Sequence, residues 1–78
     1  MNLRDDLLKA SKLQFRAQIE KHRINIENML NNTVGVGEHP DIMETIEAEL
    51  GKMSGYQDKL EMLDYFDVPL KNKKLLKD

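Results

Sequence analysis

Few side chains in this sequence are suited to acid–base or metal chemistry. There are two histidines, His22 and His39, and no cysteine. A histidine beside a carboxylate can begin a metal site, and the pairing described below places His22 near Glu49. Metal sites in helical bundles also need several inward carboxylates and Glu-x-x-His repeats, which are absent here. We predict no catalytic residue, metal ligand or cofactor, and a hydrogen-bonded or half-exposed structural His22; a metal-dependent enzyme using His22 stays as an alternative.

Two short motifs have competing explanations. The triplet His39-Pro40-Asp41 matches the loop signature of J-domain cochaperones, but in that family it directly follows a basic helix rich in Lys, Tyr and Leu. Here a glycine-containing loop comes first, and a proline-led helix start accounts for the triplet. The segment Gly35-Val36-Gly37 lacks the third glycine and the preceding strand of a dinucleotide-binding loop. We interpret both motifs as helix-boundary sequence.

Two long helical segments must position any site. From about residue 2 to residue 31 there is no Pro or Gly, which predicts one long helix. Residues 32–39 contain two glycines and predict a loop. A second helix is expected from about 40 to 66, beginning with Pro40 or capped by Asp41, and Pro69 prevents its continuation. Residues 67–78 are expected to form a basic flexible tail.

Apolar side chains in the two segments lie at matching distances from the turn, as an antiparallel hairpin requires. The expected pairs are Ile26 with Ile46, Ile19 with Met53, Phe15 with Tyr56 or Gln57, and Leu8 with Leu63. The sequence therefore predicts an all-α fold, an antiparallel two-helix hairpin over residues 1–66. Its expected core is Leu8, Phe15, Ile19, Ile26, Ile42, Ile46, Met53, Tyr56, Leu60 and Leu63. If the sites are buried, truncating Ile19 or Met53 to Ala is expected to cost about 2–5 kcal/mol.

The small size of the chain predicts self-association. With 78 residues and no cysteine, neither disulfides nor thiolate metal sites can supplement a small core. A second apolar or small-residue stripe also lies outside the hairpin seam on each helix. We predict a homodimer that forms a four-helix bundle, with a complex with another protein as the further possibility. The predicted interface residues are Leu3, Ala10, Ala17, Ile24, Ala48, Gly51, Gly55, Met62 and Phe66. The alternative is that Gly51 and Gly55 are loose positions on a solvated face.

Charge is distributed unevenly along the chain, whose formal net charge is −2. Residues 38–66 are strongly acidic, and the segments on either side carry a small basic excess. This pattern argues against a continuous basic face for nucleic acid. We predict a non-enzymatic interaction or structural protein that presents its acidic second helix to a protein partner. The alternative is a nucleic-acid-associated accessory protein using helix one and the Lys-rich tail, whose binding would weaken steeply with salt.

No secretory leader is visible, and no apolar run approaches the ~20 residues of a membrane span. We expect a cytoplasmic protein without membrane contact.

A longer stretch of sequence carries a family resemblance. Val36-Gly37-Glu38-His39-Pro40-Asp41-Ile42-Met43-Glu44, followed by Tyr56-Gln57-Asp58-Lys59-Leu60-Glu61-Met62-Leu63, resembles small uncharacterised helical proteins of tailed marine cyanophages. The similarity spans most of residues 1–66. It implies expression in the cytosol of an infected bacterium, which suits a phage accessory protein that binds a host or phage protein. It leaves the role open between virion-related assembly and control of a host protein. It supplies no catalytic residue.

Overall fold

A computed structural model describes residues 2–32 and 39–67. Helix α1 spans Leu3–Asn31, helix α2 spans His39–Met62, and a 3₁₀ turn follows at Leu63–Tyr65. The prediction of an all-α two-helix hairpin is confirmed. The predicted glycine loop lies mainly at residues 33–38 and the predicted basic tail mainly at residues 68–78; both ranges are outside the described residues.

Side-chain hydrogen bonds cover both ends of α1. The Asn2 side chain accepts hydrogen bonds from the backbone N–H groups of Arg4 at 2.9 Å and Asp5 at 3.4 Å. This N-cap satisfies donors that have no partner within the helix. At the other end, the amides of Asn31 and Asn32 donate to the backbone carbonyls one turn earlier, at 2.8 Å and 3.0 Å. The helix bounds therefore follow from local capping.

Helix α2 differs from the expected segment at both ends. It begins at His39, one residue earlier than expected, so Asp41 lies within the first turn instead of capping it. The α-helix ends at Met62, and the expected last turn is 3₁₀, with the backbone N–H groups of Phe66 and Asp67 both donating to the Leu63 carbonyl. A tighter final turn of this kind is common at helix ends.

The two helices pack side by side along a single seam. The rings of Phe15 and Tyr56 lie 6.1 Å apart, which selects Tyr56 over Gln57 as the partner of Phe15. All ten residues of the expected core are half-buried, but no apolar side chain in the described residues is fully buried. The expected core positions therefore lie on the seam, and each is half-buried. Because two helices touch along only one line, water still reaches each side chain of the seam from a broad side of the hairpin.

Candidate functional site: a polar cluster and the exposed surfaces

The most enclosed residue is the histidine singled out by the sequence. His22 is 4% exposed and is the one buried residue in the described part of the chain. Its Nδ1 contacts Oε2 of Glu49 on the facing helix. Asn25, one turn after His22, donates from Nδ2 to the other carboxylate oxygen of Glu49 at 3.0 Å. These three residues form a polar cluster that joins α1 to α2.

The cluster changes the protonation equilibrium of Glu49. The hydrogen bond with His22 is the largest cause, and it lowers the pKa of the Glu49 carboxyl below its ordinary value of 4.5. Partial burial opposes this shift, while the hydrogen bond from Asn25 and the positive charge of Lys52 add to it. Glu49 is therefore held as a carboxylate that accepts hydrogen bonds from both α1 side chains.

An aromatic group adjoins the polar cluster. The Tyr56 ring stacks on His22, with centroids 6.0 Å apart and planes inclined by 14°. The ammonium group of Lys59 lies 4.9 Å from the Tyr56 centroid. The rings of Phe15, Tyr56 and His22 thus form a continuous row across the seam. This arrangement fixes how the two helices align.

The acidic residues do not form a metal-binding cluster within the described ranges. Within residues 2–32 and 39–67, no three side chains of His, Asp or Glu lie close enough together to hold one metal ion. His22 and Glu49 are a pair, and the third group near them is the neutral amide of Asn25. The geometry supports hydrogen bonding between helices.

The predicted interface residues lie on different sides of the hairpin. At 100° per residue, Leu3, Ala10, Ala17 and Ile24 fall on the side of α1 away from α2, together with Leu13. We call these five residues the outer edge of α1. All are exposed, with Leu3 at 71% and Ile24 at 54%. Because they point away from α2, they leave an apolar stripe along one edge of the hairpin.

The other predicted interface residues belong to α2 and its end. The outer edge of α2 consists of Glu44, Ala48, Gly51, Gly55, Asp58 and Met62. Gly55 is half-buried and the others are exposed. A Cβ atom added at Gly51 or Gly55 would meet nothing within 4 Å. The two outer edges face opposite directions, so a single partner helix cannot cover both.

Phe66 lies apart from both edges, at the end of the hairpin opposite the turn. With Arg4, Leu7, Leu8 and Ser11 it lines a shallow pocket of about 250 Å³. The Arg4 guanidinium donates to the Phe66 carbonyl, which ties the chain after α2 to the first turn of α1. Lys12 and Asp67 form an ion pair beside it.

Sequence reasoning located His22 near Glu49 but missed three polar contacts. The Asn25 contact had a usable signal, because Asn25 lies one turn from His22 on a helix facing the same carboxylate. The Arg4 and Lys12 contacts had none, since they depend on the path of the chain after the 3₁₀ turn.

Comparison with known proteins found no relative of this chain. The scan of protein-family models, the search of curated proteins and the search of solved structures each returned no match. In the described ranges, neither helix combines the length and apolarity that crossing a bilayer requires.

Proposed function

We propose that the protein is a non-enzymatic interaction module in which the rigid hairpin presents the outer edge of α2 to a helix of another protein. The observation that carries this proposal is the pair of glycines inside α2. Glycine in a helix interior costs about 1 kcal/mol relative to alanine. Neither Gly51 nor Gly55 is needed within the hairpin, since the space beside each is open. A helix packed closely against this edge would use that space.

Charge indicates the chemistry of the partner. Glu44 and Asp58 lie on the same edge as the glycines, and α2 as a whole carries six acidic and two basic residues. A helix with small or apolar residues flanked by Lys or Arg would complement this edge in both shape and charge. We place this interaction in the cytosol, where the cyanophage resemblance would also locate it.

The test is capture of a partner from the native cytosol by the immobilised full chain. Gly51→Leu fills the open space without changing charge, and Leu13→Ala is the control on the opposite edge. We expect a discrete partner that binds the wild type and the control and is lost with Gly51→Leu. Retention of the same partner by Gly51→Leu, or capture of none, would reject the proposal.

A further inference from the structure

One flat face of the hairpin is apolar near the turn. Leu30 follows the seam residue Ile26 by four positions, while Met43 and Leu50 flank Ile46. Because the helices are antiparallel and Phe15 faces Tyr56, these spacings place the three side chains beside the seam on the same side of the hairpin. They are 58%, 70% and 51% exposed, respectively. We call Leu30, Met43 and Leu50 the apolar face.

On the opposite flat face, Leu7 is exposed at the end away from the turn and the rest is polar. Asn25 lies there and donates to Glu49, and Lys59 lies there over the Tyr56 ring. Lys52, seven residues before Lys59, continues the same row. The hairpin therefore has one face that is mostly polar and one whose exposed leucines and methionine near the turn lack a covering element within the described chain.

Charge along the flat side of the hairpin that contains the apolar face differs between the helices. On α1, seven-residue steps from Leu30 lead to Arg23, Arg16 and Lys9, a basic column. On α2, seven-residue steps from Met43 lead to Leu50, Gln57 and Asp64, with Glu47 and Glu61 one turn from this column. Among the ion pairs of the described residues, Lys9 and Arg16 have no partner. The two columns are complementary in charge.

We propose that a second copy of this chain packs on the apolar face, related by a two-fold axis parallel to the helices. This axis sets α1 of each copy against α2 of the other. At matching levels, Leu30 then meets Met43 and Lys9 meets Asp64. A two-fold axis perpendicular to the helices would instead set the basic column against itself.

The same packing accounts for the incomplete core. Seam residues such as Ile26 and Ile46 are half-buried in one hairpin because they border the apolar face. A second hairpin on that face closes a four-helix bundle around them. The outer edges stay exposed, so this inference does not rest on the proposed function and either one can fail alone.

Light scattering of the full chain tests the inference. We expect the wild type to have twice the single-chain mass of 9.1 kDa. Leu50→Glu should weaken the dimer at least about tenfold, whereas Leu13→Glu on the outer edge of α1 should leave it intact. A single-chain mass for the wild type, or equal effects of the two variants, would overturn the inference.

A charge-exchange experiment tests the pairing between copies without altering apolar residues. One variant combines Lys9→Glu with Arg16→Glu, and the other combines Glu61→Lys with Asp64→Lys. Each variant alone should give mainly the single-chain mass, because like charges meet in its homodimer. An equimolar mixture should recover the two-chain mass, since both contacts then join opposite charges. A mixture that stays at the single-chain mass would refute the placement of α1 against α2 of the second copy.

Discussion

Replacement of Ile19 by Ala measures how much free energy the seam supplies. The substitution removes three carbons, worth about 2.4 kcal/mol if all were fully buried at about 0.8 kcal/mol each. Ile19 is half-buried, so we expect a loss of about 1–2 kcal/mol in the free energy of unfolding. This is smaller than the value expected for a fully buried core, because water already reaches part of the side chain and no closed cavity forms.

Ile24→Ala is the matched control for this measurement. Ile24 has the same side chain on the same helix but lies on the outer edge of α1, 54% exposed. Its truncation should change the free energy of unfolding by no more than about 0.5 kcal/mol, since alanine also has the better helix propensity. Urea unfolding followed by far-ultraviolet circular dichroism measures both variants. Equal losses for Ile19→Ala and Ile24→Ala would refute the assignment of the seam.

Three further predictions concern the polar cluster and the outer edge of α2. Because the pKa of Glu49 is lowered from its ordinary value of 4.5, the carboxylate stabilises the hairpin fully at pH values above 4.5. This stabilisation is lost as the pH falls through the lowered pKa. Glu49→Gln should therefore be less stable than wild type at neutral pH, and the urea midpoints of the two should converge as pH falls below the lowered pKa; a constant difference would contradict the assignment. Tyr56→Phe should keep the stacking on His22 and change stability by less than about 0.5 kcal/mol, while Tyr56→Leu should lose about 1 kcal/mol; equal losses would show that the ring contacts contribute nothing. Gly51→Ala should raise the Tm by about 4–8 °C, because alanine favours the helix by about 1 kcal/mol and its Cβ meets open space; a lower Tm would show that another helix already occupies this edge.

Much of the hairpin could be predicted because its signals are local. A stretch without Pro or Gly gives α1, and the apolar positions of α1 and α2 match in antiparallel order. The partnership of His22 with Glu49 followed from the same register. The ends of α2 were less predictable, since the choice between α and 3₁₀ geometry after Met62 depends on a small energy difference and on contacts from Arg4 and Lys12.

The exposed surfaces could not be ranked from periodicity alone. A helical wheel shows that Ile24 and Gly51 lie away from the seam on the two outer edges, but it does not show which side of one helix adjoins which side of the other. Nor does it place Leu30 and Met43 together on one flat face. That grouping requires the relative orientation of the two helices, which long-range contacts such as Phe15 with Tyr56 define.

The sequence by itself determined that this protein is two antiparallel helices, because helix formation and the pairing of apolar stripes depend on residue spacing. Only the tertiary structure decided that the seam leaves every apolar residue of the described chain partly exposed while it encloses His22. The reason is geometric: two cylinders touch along one line, so apolar side chains on the seam stay open on a flat face. The His22 ring is instead covered by Glu49 and Tyr56 of the facing helix.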